Sequence, residues 1–182
     1  MSKISCRNAT EIHLARLSVV IQTVRVRLQA LGINPSQVTL IGHSYGGHLV
    51  NLLATEDMNS AQVDSMVSIS GVWKPWSNGY SEYLNVDPDL APVDRQPKIS
   101  KHLTVIHSVD DETVPIEQMR DFIEWVKPLP RTSYSVLELK HGGHAPGFED
   151  PSDSVLSQIV SAILKQSRPT ALRGRHGWYE IF

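Results

Sequence analysis

Three features of the sequence predict an α/β fold, a parallel sheet of about four strands flanked by helices. Short apolar or β-branched runs recur at residues 38–41, 63–70, 103–108 and 133–139. Stretches with helical spacing lie before, between and after them, at residues 10–31, 48–55, 116–126 and 155–164. Strands that alternate with helices form βαβ units, and the strands of such units run parallel.

In the first stretch, Ile12, Leu17, Val20, Ile21, Val24, Leu28 and Leu31 recur largely at steps of three and four, while Arg16, Gln22, Arg25 and Gln29 take the other side. That is the pattern of an amphipathic helix. Gly32 supplies a stop and Asn34-Pro35-Ser36 a turn, after which Val38-Thr39-Leu40-Ile41 reads as a buried strand. Gly42-His43-Ser44-Tyr45-Gly46-Gly47 follows at once and leads into the next helix. Residues 63–70 are β-branched and bounded by Gly71, and the third and fourth strands are each followed by a connection and a helix.

The connection at residues 72–98 is 27 residues long, with Trp73, Trp76, Tyr80, Tyr83, four prolines and little periodicity. It reads either as a lid, which makes Trp73, Trp76 and Tyr80 substrate contacts, or as a surface loop anchored by buried aromatics. Residues 1–167 are expected to form one domain, and residues 168–182 a C-terminal tail that docks a few aromatics.

Composition narrows the function. Seventeen basic side chains against 19 acidic ones leave no field to draw the protein to nucleic acid or an anionic membrane, so a small neutral substrate fits best. Cys6 is the only cysteine, which excludes an intramolecular disulfide and a cysteine-based metal cluster within one copy. None of the histidines pair with metal-site spacing, and neither a metal nor another cofactor is expected. Lys3, Arg7, Glu11 and Arg16 interrupt the start of the chain, no run of about 18 apolar residues occurs, and a soluble cytoplasmic protein is the expectation.

A serine hydroxyl is a weak nucleophile at neutral pH, so a hydrolase must place a base beside it, orient that base and donate hydrogen bonds to the developing oxyanion. Gly42-His43-Ser44-Tyr45-Gly46 is a G-x-S-x-G between a predicted strand and a predicted helix, the context that makes the pentapeptide a nucleophile elbow. Its flanking glycines are expected where the turn leaves no room for Cβ atoms. No lysine follows Gly47, which argues against a phosphate-binding P-loop. His43 is expected to point away from the reacting face and pack, and His13, His48, His102, His107 and His176 to be surface or structural residues.

The run from Leu31 through the turn and strand to Gly42-His43-Ser44-Tyr45-Gly46-Gly47-His48-Leu49 resembles the elbow region of esterases and lipases in the α/β-hydrolase superfamily. The resemblance implies that an acid and then a histidine follow later strands, in the order Ser, Asp, His. His107-Ser108-Val109-Asp110-Asp111-Glu112-Thr113-Val114-Pro115 is similar to the family's D-x-x-V-P turn. Aligned on Val114-Pro115 the acid is Asp111, with Asp110 the alternative if the turn is offset by one. His141-Gly142-Gly143-His144 is similar to the family's G-G-H and points to His144, with His141 the rival. Ser44, Asp111 and His144 would then form a catalytic triad acting on a small ester or amide, and the Tyr45 N–H would be one oxyanion donor.

Ile69-Ser70-Gly71, the aromatic connection and the acid turn also look like the kynurenine formamidase group, which hydrolyses N-formyl-kynurenine. In the family further strands precede the elbow, and a second oxyanion donor comes from a loop among them; here a helix stands before it. The resemblance therefore implies a truncated form of the fold and impaired activity, because a lost oxyanion donor costs about 100- to 1,000-fold. It also implies an uncovered sheet edge open to self-association. A non-catalytic hydrolase-like binding module is the reading from a different functional class.

Overall fold

A computed structural model describes residues 3–35, 37–55, 63–74, 92, 102–128 and 133–166, with side chains from residue 11 onward. In chain order the elements are α1 (Lys3–Ala30), β1 (Thr39–His43), α2 (Tyr45–Thr55), β2 (Ser65–Ile69), β3 (His102–Ser108), α3 (Glu117–Val126), β4 (Tyr134–Leu139) and α4 (Asp153–Gln166). The strands form a four-stranded sheet in the order β1-β2-β3-β4, every pair parallel, as the alternation of strands and helices predicts. Trp76, Tyr80 and the tail at 168–182 lie outside the described residues.

The sheet is covered on both faces, so β2 and β3 are buried along almost their whole length. Alternation sends Met66, Leu103 and Val105 to one face, where they pack with Val50, Leu53, Met119 and Phe122 from α2 and α3. Val67, Ile106, Leu137 and Leu139 go to the other face, against Val155 and Ile159 of α4. At the start of α4, Ser152 caps the helix through its Oγ, 3.4 Å from the Val155 N–H, and Asp153 places a negative charge in the first turn.

The first helix departs from its expected face. Among its described side chains Leu14 and Ile21 are buried, with Leu17 packed beside them, whereas Ile12, Val20, Val24 and Leu31 are exposed. Among these side chains the buried seam runs through Leu14, Leu17 and Ile21, with Leu28 half-buried. No helix among the described residues is long and apolar enough to cross a membrane.

The segment leaving β2 is tied down on two sides. Gln118 of α3, buried, accepts the Trp73 and Lys74 N–H groups through Oε1 at 2.8 and 2.9 Å and donates to the Lys74 carbonyl at 2.9 Å. Asn51 of α2 donates to the Val72 carbonyl at 3.1 Å. Trp73 stacks on Phe122 with ring centroids 3.7 Å apart and has no accessible surface. The expectation that Trp73 contacts substrate gives way to a core role: its indole fills the space between β2 and α3, out of reach of any ligand.

Candidate active site

Parallel strands end on the same side of a sheet, and the connections beyond their carboxyl ends are where open α/β sheets gather functional side chains. Ser44 follows β1, Asp111 lies three residues beyond β3, and His144 lies beyond β4. The register that sets His43 against Ile69, Ile69 against Ile106, and Ser108 against Leu139 brings these three ends into line.

The elbow is built by crowding. Ser44 has φ 54, a left-handed conformation that a side-chain-bearing residue adopts only under constraint. Two bonds impose it, with the Ser44 N–H on the Ile69 carbonyl at 2.9 Å and the His48 N–H on the Ser44 carbonyl at 2.9 Å. Gly42 must be glycine, because a Cβ there would run into the Gly46 carbonyl and the Val50 side chain. The matching expectation for Gly46 is corrected: open space surrounds the position of its Cβ, and the crowding falls on the preceding strand residue. Tyr45 opens α2, where first-turn N–H groups lack intrahelical acceptors. Its hydroxyl meets His13 Nδ1 at 2.9 Å.

His144 joins the other two residues. Its Nδ1 lies 3.1 and 3.0 Å from Oδ1 and Oδ2 of Asp111, and its Nε2 lies 2.9 Å from Ser44 Oγ. A carboxylate only accepts, so Nδ1 carries the hydrogen, and the neutral ring then offers its Nε2 lone pair to the serine hydroxyl. Of the two histidines of the motif, His144 is the one that meets Ser44 and Asp111. His141 is 77% exposed on its side chain and comes no nearer than 3.8 Å to Asp110 Oδ2.

Asp111 is held from several directions. Its Oδ1 accepts the Thr113 and Val114 N–H groups at 2.9 and 2.8 Å, which closes the turn beneath it. Its Oδ2 lies 3.2 Å from Nε2 of His107, a fully buried side chain whose Nε2 also meets the Val114 carbonyl at 2.8 Å. Both partners accept, so His107 carries its hydrogen on Nε2. Burial alone would push the Asp111 carboxyl up. The contacts from His107 and His144, the Val114 N–H and, when its ring is protonated, the charge of His144 overcome that and hold it well below the usual carboxylate range.

Asp110, the offset alternative for the acid, does different work. Its oxygens accept the Gly142 and Gly143 N–H groups at 3.4 and 3.0 Å. His43 is also misjudged by the sequence pattern. Its ring is exposed yet turns toward the site, Nε2 donating to the His144 carbonyl at 2.8 Å with the two ring centroids 5.0 Å apart. His107 and Glu149 went unmarked as site residues; the i, i+4 spacing of His107 to Asp111 is the one signal in the sequence that points to either. Among the described residues no cluster of histidine, cysteine and carboxylate side chains could hold a metal ion.

The fold has counterparts in known proteins. A family model described as alpha/beta hydrolase fold matches residues 2–106. Esterase LipC of Mycobacterium tuberculosis is 26% identical over 167 residues, an overlap of 75% of this chain and 41% of that protein. The chain thus spans less than half the length of that relative. In fold it is similar to a sugar hydrolase from Lactococcus lactis, with a TM-score of 0.68 at 18% identity over 88% of this chain and 68% of that one. It is similar also to an acetyl ester-xyloside bifunctional hydrolase from Caldicellulosiruptor lactoaceticus, at a TM-score of 0.63 and 20% identity, over 85% and 65% of the two chains. An acylaminoacyl peptidase from Pyrococcus horikoshii gives a TM-score of 0.62 at 18% identity, over 84% of this chain and 27% of that one. Since the family model takes in more than half of its residues, the chain belongs to the alpha/beta hydrolase fold family.

Proposed function

We propose that the chain is a serine hydrolase that cleaves a carboxylic ester or amide of a small molecule through an acyl-enzyme. One observation carries the reading: an unbroken line of contacts from Ser44 Oγ through both ring nitrogens of His144 to the Asp111 carboxylate. The likeness to an esterase supports the ester side of the assignment.

In this mechanism Ser44 Oγ attacks the acyl carbon as His144 Nε2 takes its proton. The imidazolium that forms is stabilised by Asp111, which also keeps Nδ1 protonated and thereby fixes the ring in the orientation that faces the serine. The Tyr45 N–H at the helix start donates to the oxyanion. Collapse of the tetrahedral intermediate releases an alcohol or amine that takes its proton from His144. Water, deprotonated by the same nitrogen, then releases the acid and restores Ser44.

Fluorophosphonate labelling of the 182-residue chain beside its Ser44→Ala variant tests the assignment. Labelling of the parent alone supports it, since only an activated hydroxyl reacts. A folded parent that stays unlabelled overturns it. Turnover of nitrophenyl acetate against N-formyl-kynurenine then ranks ester above formamide or the reverse.

A further inference from the structure

Four consecutive backbone N–H groups at the base loop each meet a carboxylate oxygen. Asp110, on the acid turn, takes Gly142 and Gly143 at 3.4 and 3.0 Å. Glu149, from the same loop, takes His144 and Ala145 at 3.2 and 3.0 Å. The Phe148 and Glu149 N–H groups return to the Ala145 carbonyl at 2.9 and 3.0 Å, folding the loop so that the Glu149 side chain reaches back over it. The seat is fitted to that carboxylate. Gly143 has φ 61, and a Cβ at this position would collide with Glu149 Oε2.

The base loop has no helix or strand of its own, so nothing in regular secondary structure fixes His144. A reacting group displaced by about 1 Å can cost on the order of 100-fold in rate. We infer that Asp110 and Glu149 are positioning residues that clamp the loop at residues 142–145, holding the His144 ring between Ser44 and Asp111. The inference rests on the reading of Ser44, His144 and Asp111 as a catalytic triad. Carboxylates suit the task, because each offers two oxygens and so one side chain can accept from two successive N–H groups. The clamp also couples the two later motifs, since Asp110 directly precedes the acid and its partners directly precede the base.

The test uses the full chain with Asp110→Ala, Glu149→Ala and the double variant, beside Asp110→Asn and Glu149→Gln, which keep one accepting oxygen. Two quantities are read: amide hydrogen exchange across residues 142–145, and the rate of fluorophosphonate labelling at Ser44. The double alanine variant should exchange faster at these amides and label roughly 10- to 100-fold more slowly, with its thermal midpoint little changed. The amide variants should recover part of both. Faster exchange with unchanged labelling overturns the positioning role, and unchanged exchange overturns the clamp itself. Should the double variant fail to fold, the single and conservative variants carry the same comparison. A folded parent that does not label ends the triad reading, and the exchange data then decide the clamp alone.

Discussion

His43 Nε2 donates to the backbone carbonyl of His144 at 2.8 Å across 101 residues of sequence, so the residue just before Ser44 holds the backbone of the histidine that meets it. The elbow and the base loop are thereby joined at a point other than the Ser44–His144 contact. Replacing His43 by phenylalanine keeps the ring but removes the donor. A bond worth about 1 kcal/mol corresponds to a factor of about five in rate. His43→Phe should slow fluorophosphonate labelling by about that factor, while His43→Gln, which can still donate, should slow it less.

The strain at Ser44 predicts a trade between activity and stability. A left-handed backbone costs a residue with a Cβ about 1–2 kcal/mol, and glycine escapes most of that. Ser44→Ala should lose labelling and keep the strain. Ser44→Gly should lose labelling too, yet unfold in urea at a higher midpoint than Ser44→Ala, by about 1 kcal/mol once the looser unfolded chain is included.

Asp111 sets a pH dependence whose sign follows from its direction of shift. Its folded carboxyl is held below the usual range, whereas an unfolded aspartate titrates near about 3.9. Above that value both states are ionised and the stabilisation is fully present. As pH falls below it the unfolded chain takes up a proton first, and the stabilisation drains away toward the folded value. Urea unfolding of the parent and of Asp111→Asn should therefore differ most from neutral pH down to about 5, and converge as pH falls below about 4.

Trp73 gives the contrasting case of an aromatic that matters to the core. It has no accessible surface and stacks on Phe122 at 3.7 Å. Trp73→Ala should cost about 3–5 kcal/mol, a large part of an ordinary domain's stability. Trp73→Phe should cost less and leave KM for a small ester unchanged. A KM that rises in the folded Phe variant would restore the substrate-contact role.

The strand count, the parallel sheet and the meeting of Ser44, Asp111 and His144 were legible because they rest on local signals: short β-branched runs, a glycine bend between strand and helix, and motifs just past strand ends. The supporting cast was not legible. His43, His107, Asp110 and Glu149 act through contacts made when loops from different strands close on one another, and no periodicity records which way such a side chain turns. The face of α1 was misread for a related reason. Among its described side chains Leu14 and Ile21 are buried while the equally apolar Ile12, Val20 and Val24 are exposed, so contact geometry rather than hydrophobicity decides which are covered.

Strand order in this sheet repeats chain order, β1 to β4 without a jump. Each strand can therefore dock on the one made before it, a route that suits growth during synthesis, when earlier segments fold first. Ser44 can reach the Ile69 carbonyl once β2 has paired with β1, whereas its contact with His144 needs β4 in place as well. On the proposed reading of the site, a growing chain would carry Ser44 already bent into its turn but without its histidine partner until all four strands had paired.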